Sequence, residues 1–155
     1  MKILIPLDGS PLAESVLPHV CDLVNQPSDA ILIRIAPPIE EDMMSEGRVI
    51  PVWEQRQSIE STYLRYLEKA GQQLLGSCFK VSCQVLFGKP SKEILTAARQ
   101  HSVDMIAMAT HGRQGLSRLV HGSVAAEVLE EAHVPVVLFM APKDTKQSVD
   151  REPVV

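Results

Sequence analysis

The sequence has few cysteines and no motif that would join them. Cys21, Cys78 and Cys83 are the three cysteines in 155 residues, and none of them belongs to a CxxC motif. An odd count without such a motif argues against a disulfide framework, as in proteins of a reducing compartment. We interpret the thiols as small apolar side chains in or beside a core. A redox pair of Cys78 and Cys83 is the alternative.

Long hydrophobic runs and an excess of basic residues are also missing. No apolar stretch approaches the ~20 residues that cross a bilayer, and residues 1–7 are too short and too interrupted for a secretory signal. The formal net charge of −4 provides no broad basic surface for nucleic-acid phosphates. We therefore expect a cytoplasmic protein whose partners are neither membranes nor nucleic acids.

Apolar runs alternate with helical patterns along a chain whose length and 45% hydrophobic content suit one globular domain. The first of these runs is nearly continuous, which is typical of parallel strands covered on both faces. We predict strands at residues 2–7, 30–36, 79–87, 105–109 and 134–140, and helices at 10–25, 54–75, 91–100 and 122–132. This order predicts an α/β domain over residues 1–141, with a five-stranded parallel sheet and helices on both faces. Residues 142–155 are expected to form a flexible tail.

Local signals refine two of these elements and leave one segment open. Ser10 and Ser91 are the expected N-caps of their helices, and Pro18 predicts a kink in the first helix. Residues 37–53 show no period and contain three prolines and one glycine. Two interpretations of this long segment remain, a mobile connection and a flap over a ligand.

The candidate site lies where the first and fourth strands end, because ligands of open parallel sheets bind outside the carboxyl ends of the strands. Asp8 follows the first strand. Its carboxylate could accept a hydrogen bond from a ribose hydroxyl or an adenine amino group, or it could cap the next helix. The residues alone leave both roles open.

A glycine-rich loop follows the fourth strand. Three of the eight glycines lie within eleven residues, and Ser123 opens the next helix. Free amides and the helix dipole at such a position favour an anion, although glycines also simply shape turns. We interpret this loop as a phosphate cradle. Its glycines are Gly112, Gly115 and Gly122, and the side chains that would make it locally cationic are His111, Arg113, Arg118 and His121.

Several familiar sites are absent from the sequence. There is no GxxxxGK[ST] phosphate loop and no GxGxxG after the first strand. The serines lack a convincing His/Asp arrangement, and the five histidines lack a recognisable metal spacing. We therefore predict no catalytic residue and no metal ligand.

Four stretches together resemble the universal stress protein family, in its ATP-binding type. They are ILIPLDGS at the start, GKPSKEI from Gly88, MATHGRQGLSRLVHGSVAAEVL around the glycine-rich loop, and VPVVLF near the end. The resemblance extends over residues 1–141. It implies a Rossmann-like sandwich of the adenine-nucleotide α-hydrolase type, with ATP, ADP or AMP, with or without Mg²⁺, between the first and fourth strands.

The resemblance also implies roles for individual residues. Asp8 would meet the adenosine, Ile35 would pack on the base, and His111 could touch a phosphate or lie in solvent. The family pattern begins with a glycine where this chain has Ala109, which is harmless at an ordinary φ and costly at a positive one. The other implied contacts are Pro6 and Leu7 lining the adenosine site, Met108 and Ala109 along the nucleoside, and Gly112, Arg113, Gly122, Ser123 and Val124 at the phosphates.

Three functions follow from these expectations. The first is a stress-response regulatory protein whose interactions with an unidentified protein partner depend on the bound nucleotide. The second is a dimeric scaffold without nucleotide binding, and the third an enzyme that forms an adenylate or slowly hydrolyses ATP. The family commonly dimerises through its last strand, so we expect a homodimer through the apolar edge that begins at Val134 and ends at Met140.

Overall fold

The computed structural model describes the backbone and side chains of residues 1–74, 76, 79–110 and 124–140, and the backbone of His111 and Ala141. Residues 112–123, with most of the glycine-rich loop, and the predicted tail 142–155 lie outside the described residues. Cys78 also lies outside them, so its pairing with Cys83 stays a hypothesis. Cys21 and Cys83 are half-buried free thiols, and burial, followed by the nearby Glu68 carboxylate, raises the pKa of Cys83.

The described strands and helices alternate as the sequence predicts, except that the first helix is in two parts and two short strands follow β2. The strands are β1 (Lys2–Pro6), β2 (Ser28–Ala36), β3 (Met43–Ser45), β4 (Arg48–Ile50), β5 (Phe79–Phe87), β6 (Met105–His111) and β7 (Val136–Ala141). The helices are α1 (Pro11–Glu14), α2 (Leu17–Val20), α3 (Val52–Gly71), α4 (Pro90–Gln100) and α5 (Val124–Glu131). Short 3₁₀ turns, Cys21–Leu23 and Gln72–Leu74, follow α2 and α3.

Five strands form one sheet in the order β5-β2-β1-β6-β7, and all its neighbouring pairs are parallel. Its alternate side chains enter two separate cores, because successive residues of a strand point to opposite faces. Ile3 and Ile5 pack under α2 and α3, whereas Leu4 and Ile106 pack under α4 and α5. The predicted parallel sheet with helices on both faces is confirmed.

The first predicted helix is broken rather than kinked. Ser10 caps α1 as expected, since its Oγ accepts a hydrogen bond from the Ala13 N–H at 3.1 Å. The chain then leaves α1 at Glu14 and starts α2 at Leu17, with Pro18 in the first turn of α2. Proline has no N–H to donate to the carbonyl four residues earlier, and its ring crowds that carbonyl. The helix therefore stops one turn before Pro18 and begins again around it.

Residues 37–53 contain a hairpin that the sequence analysis missed. β3 and β4 pair antiparallel, with Met44 opposite Val49. The two residues between them, Glu46 and Gly47, have φ of 50° and 77°, which is the backbone of a two-residue hairpin turn. The strands are three residues long and mostly exposed. They therefore carry none of the alternating burial that makes strands readable in a sequence.

None of the helices in the described part of the chain is long and apolar enough to cross a membrane.

Candidate functional site

The order of the strands reverses beside β1. The chain runs from β1 to β2 and β5 on one side of the sheet, and then crosses to β6 and β7 on the other side. This arrangement places the carboxyl ends of β1 and β6 at the topological switch point, where ligands of open α/β sheets bind. Asp8 and the end of β6 at His111 therefore come to the same edge, as the sequence analysis expected.

The two strands separate at this edge. Ile3 pairs with Met105 and Leu4 with Ile106, but no later pair joins β1 to β6 in the described residues. Pairing of β1 with β2 continues to Pro6, and pairing of β6 with β7 continues to His111. The described ends of β1 and β6 are therefore not joined by ladder hydrogen bonds, and we call the region between them the opening.

Pro6 explains why the pairing stops. Successive residues of a strand direct their N–H groups to opposite neighbours. The Leu7 N–H donates to the Ile33 carbonyl of β2 at 2.8 Å, so position 6 is the one whose N–H would face β6. Proline has no N–H to donate, and the ladder between β1 and β6 ends before it.

The chain beyond Leu7 forms a tight turn at the mouth of this opening. Asp8 Oδ1 accepts a hydrogen bond from the Ser10 N–H at 2.8 Å, which is the usual local bond of aspartate in a turn. Ser10, not Asp8, is the residue that caps α1. The Asp8 side chain is exposed, and its Oδ2 has no hydrogen bond to any described residue. One carboxylate oxygen therefore holds the turn, and the described part of the chain leaves the other without a hydrogen-bond donor.

The side chain of an arginine, Arg34, packs against this turn at Gly9. Gly9 has a φ of 88°, and a Cβ added to it would lie 2.9 Å from Arg34 Nη2. The Arg34 guanidinium lies over the ring of Tyr63, 3.7 Å from its centroid, and 4.6 Å from that of Tyr66. Burial and the neighbouring Glu14 carboxylate raise the pKa of Tyr66 to about 12. Only glycine combines this φ with this close approach.

The sequence analysis missed this support. Arg34 lies within an apolar strand, ILIRIA, where a charged side chain is unusual. This unusual charge was the signal from which the support of the turn could have been predicted. It has no carboxylate within 4 Å among the described residues. Its two aromatic neighbours lie about thirty positions later in the chain, so only the fold reveals the cluster. We call these residues, Arg34, Tyr63 and Tyr66, the arginine cluster.

The apolar candidates divide between the two faces of the sheet. Leu7 and Ala109 belong to the core under α2 and α3, whereas Met108 and Ile35 belong to the core under α4 and α5. The Leu7 and Met108 side chains are nearly fully buried, so a ligand at the edge would reach their backbone. Pro6, Ile35 and Ala109 are half-buried and nearer to access.

Ala109 has an ordinary strand backbone. The two non-glycine residues with positive φ in the described part of the chain are Glu46 and Ser102. The φ of Ala109 is therefore one that any residue adopts, and its methyl group adds no backbone strain. Of the implied phosphate contacts, Val124 opens α5 with a partly exposed side chain. The backbone of His111 ends β6, and Gly112, Arg113, Gly122 and Ser123 lie outside the described residues.

A small polar cluster fixes the start of α5, the helix that follows the glycine-rich loop. The prediction that Ser91 caps α4 is wrong. Lys89 occupies the N-cap position, and Ser91 is buried within the first turn, where its Oγ donates to Glu127 Oε2 at 2.5 Å. The Lys89 ammonium lies 2.7 Å from the same oxygen. Lys89, and then Ser91, lower the pKa of Glu127. The first turns of α4 and α5 are thereby joined at the carboxyl edge of the sheet.

The fold and the split edge define a Rossmann-like α/β domain. Comparison with known proteins gives the family: the model of the universal stress protein family matches residues 1–139. The chain belongs to the universal stress protein family.

Individual relatives agree with this assignment. Universal stress protein MJ0531 of Methanocaldococcus jannaschii is 28% identical over 154 residues, which cover 92% of this chain and 83% of the relative. The solved structure of MJ0577, from the same organism, superposes with a TM-score of 0.70 at 24% identity, covering 92% and 96% of the two chains. A universal stress protein from Archaeoglobus fulgidus, solved in complex with dAMP, gives a TM-score of 0.57 at 17% identity, covering 89% and 96%. These structural likenesses show the fold.

The arginine cluster predicts the effect of a methyl group at Gly9. Gly9→Ala should lower the free energy of unfolding by about 1 kcal/mol for the positive φ. The same substitution should lower the free energy of unfolding by about 1 kcal/mol more, because the Arg34 guanidinium must leave its aromatic contacts. Urea unfolding measures both contributions together.

Gly47→Ala is the matched control, since Gly47 has a similar φ of 77° and nothing within 4 Å of an added Cβ. It should show the backbone cost alone. The excess at Gly9 should disappear when Arg34 is also replaced by alanine, which a double-mutant cycle measures. Equal costs for Gly9→Ala and Gly47→Ala would show that the arginine does not support the turn.

The Glu127 cluster predicts a pH dependence of stability. A carboxyl group whose pKa is lowered by folding stabilises the protein above its ordinary value of 4.5 and loses this effect as the pH falls through the lowered value. The stability difference between the wild type and Glu127→Gln should therefore be constant well above pH 4.5 and should shrink as the pH falls below that value. Glu130→Gln, an exposed neighbour on α5, should show no such change. A constant difference for Glu127→Gln would contradict the link between α4 and α5.

Proposed function

We propose that this chain binds an adenine nucleotide, ATP or its products ADP and AMP, in the opening between β1 and β6, and that the bound nucleotide modulates its interaction with a protein partner. The observation that carries the proposal is the separation of β1 from β6 after Leu4 and Ile106. It leaves the carboxyl ends of the two strands unpaired at the switch point, next to an Asp8 carboxylate oxygen that has no hydrogen bond to any described residue.

The relatives support this choice of ligand. Solved universal stress proteins of the same fold are in complex with cAMP and with dAMP. Both ligands contain adenine, a sugar and one phosphate, which are the parts that an opening between two strand ends and a following helix would accommodate. In this chain Asp8 would accept a hydrogen bond from the adenosine, with Pro6 and Leu7 beside it. Ile35 would pack on the base, and Met108 and Ala109 would follow the nucleoside.

The phosphates would lie towards the glycine-rich loop. Gly112, Gly122 and Ser123 would present amides and a hydroxyl, and Arg113 and His111 would supply positive charge. Val124 follows directly as the first residue of α5. When bound, Mg²⁺ would neutralise part of the phosphate charge. The ordinary backbone of Ala109 supports this fit, since it admits alanine without strain at the first position of the family pattern.

The nucleotide proposal is tested by calorimetry on protein freed of endogenous ligand. ATP with Mg²⁺ should bind with saturation near one nucleotide per chain. Asp8→Ala should weaken binding by roughly 10- to 100-fold, because a hydrogen bond to a charged group contributes about 1.5–3 kcal/mol. Gly122→Val should also weaken binding, since its side chain would occupy the space of a phosphate.

Asp104→Ala is the matched control. The Asp104 carboxylate also accepts a backbone N–H, from Lys2 at 2.6 Å, but it lies at the amino edge of the sheet. Nucleotide affinity should be unchanged in this variant. Absence of binding up to millimolar ATP would contradict the proposal and would favour the scaffold without nucleotide. Equal losses in Asp8→Ala and Asp104→Ala would place the site elsewhere.

We also propose that the chain forms a homodimer through β7. In the described sheet β7 has a neighbour on one side only, β6. Met140 on this strand is 60% exposed. An apolar edge with unpaired backbone groups favours pairing with a second strand, and the same strand of a second copy is the simplest partner.

One substitution separates the dimer edge from the fold. The Ile106 N–H donates to the Pro135 carbonyl, so alternate positions from 135 face β6 and Met140 directs its N–H outward. Met140→Pro removes an outward donor and leaves the ladder with β6 in place. Light scattering should give about twice 17.1 kDa for the wild type and about 17.1 kDa for Met140→Pro. A wild type that scatters as a monomer at micromolar concentration would defeat the dimer proposal.

A further inference from the structure

We infer that the hairpin between β2 and α3 carries a docking surface for a basic amphipathic segment of a partner protein. The hairpin surface consists of Met44, Val49 and Trp53. This inference does not depend on nucleotide binding, since none of these residues belongs to the candidate nucleotide site.

The hairpin surface is apolar and exposed. Its three side chains are between 53% and 67% exposed and lie within ten residues of one another in the sequence, whereas Met43, 48% exposed, alternates with Met44 and lies on the other face of the hairpin. Met44 and Val49 are directly opposite on β3 and β4, so they share one face of the hairpin. The other large exposed apolar side chains of the described residues are dispersed on α5 and β7: Val124, Leu129 and Met140. Grouped exposed apolar residues mark interaction sites more often than single ones do.

The surface is held rigidly on the start of α3. Asp42 Oδ1 accepts a hydrogen bond from the Val52 N–H at 2.9 Å. Gln55 Nε2 donates to the Ile50 and Glu41 carbonyls at 2.9 and 3.1 Å. Two hairpin strands alone are marginal in water, so these bonds maintain the shape. A preformed surface loses little entropy on binding.

An ion pair completes this attachment. Arg48 Nη2 contacts both carboxylate oxygens of Glu54, at 2.7 and 2.6 Å. The pair joins β4 to the first turn of α3 and neutralises the single basic residue of the hairpin. The acidic residues around the apolar side chains therefore have no basic partner within the hairpin itself.

The charge around the surface identifies the kind of partner. Residues 40–54 contain five acidic residues and one basic residue, Arg48, a net charge of −4. The formal net charge of the whole chain is also −4, so the remaining residues are neutral in sum. These acidic residues, which we call the acidic rim, are neighbours in sequence of a flexible methionine and a tryptophan, and together they complement a segment with lysines or arginines beside an apolar stripe. A helix with such a stripe is the common form of this ligand.

The same charge disfavours two other occupants. A second copy would bring one acidic rim against another, which costs free energy. An anionic membrane surface would repel the rim, since such surfaces attract basic segments. The apolar side chains alone would admit both occupants, so the acidic rim decides between them.

Trp53 provides a direct assay. It is the single tryptophan of the chain, so its fluorescence reports on this surface alone. The probe is a synthetic peptide of about 18 residues in which leucines form one face of a helix and lysines the other. Titration into the full chain should shift the Trp53 emission to the blue and saturate at one peptide per chain. The dissociation constant should rise with salt concentration.

Two peptides and two variants serve as controls. A peptide with glutamate in place of lysine, and one with the same composition but no apolar stripe, should each bind at least about tenfold more weakly. Met44→Ser with Val49→Ser should weaken binding of the striped peptide by at least about tenfold, because both apolar contacts are lost. Leu129→Ser, an exposed apolar residue on α5, should leave binding unchanged.

Four results would overturn the inference. They are the absence of an emission shift, equal binding of the striped and unstriped peptides, a shift caused by vesicles of anionic lipid, and self-association that the Met44→Ser, Val49→Ser variant abolishes. The third would identify a membrane as the occupant, and the fourth a second copy. Circular dichroism of the double variant establishes that it folds, so a loss of peptide binding in it reports on the surface.

Discussion

One missing hydrogen-bond donor determines where two neighbouring strands of this sheet separate. β1 is paired on both sides, and a strand of ordinary residues would continue its ladder with β6 up to the carboxyl edge. Pro6 has no N–H at the position that faces β6, so the ladder stops at Leu4 and Ile106. The lost pairing costs little because it falls on the last residue of β1, whose other neighbour, β2, still holds it. An opening results without loss of the buried sheet.

The turn at this opening is fixed by contacts that begin far away in the sequence. Gly9 packs on the Arg34 guanidinium, and Tyr63 and Tyr66 hold that guanidinium from α3. A guanidinium between aromatic rings keeps its charge while the rings cover part of it. The arginine cluster therefore supports the turn on the side of the sheet, and the exposed Asp8 carboxylate faces away from the core. Rigid support of this kind favours binding, because a preorganised turn loses little entropy.

The sequence predicted those parts of the structure that depend on local patterns. Continuous apolar runs located the buried strands β1 and β2, and β5 was predicted with its observed limits, Phe79 and Phe87. The residues after β1 located the exposed Asp8. Non-local features escaped it. The consequence of Pro6 requires knowing which neighbour its nitrogen faces, and the role of Ser91 requires Glu127 from another helix. The hairpin escaped because its strands are exposed, so burial imposed no period on them.

Helix α3 joins the two surfaces for which functions are proposed. Its first turn carries Glu54 and Gln55, which hold the hairpin, and its middle carries Tyr63 and Tyr66, which hold Arg34 behind the Asp8 turn. Gln55 and Tyr63 are eight residues apart, or about 12 Å along a helix. A displacement of the turn by a ligand would press on Arg34 and on α3, and the hairpin rests on the same helix. The proposed coupling between nucleotide and partner would therefore need no contact between the two sites, because α3 touches both surfaces.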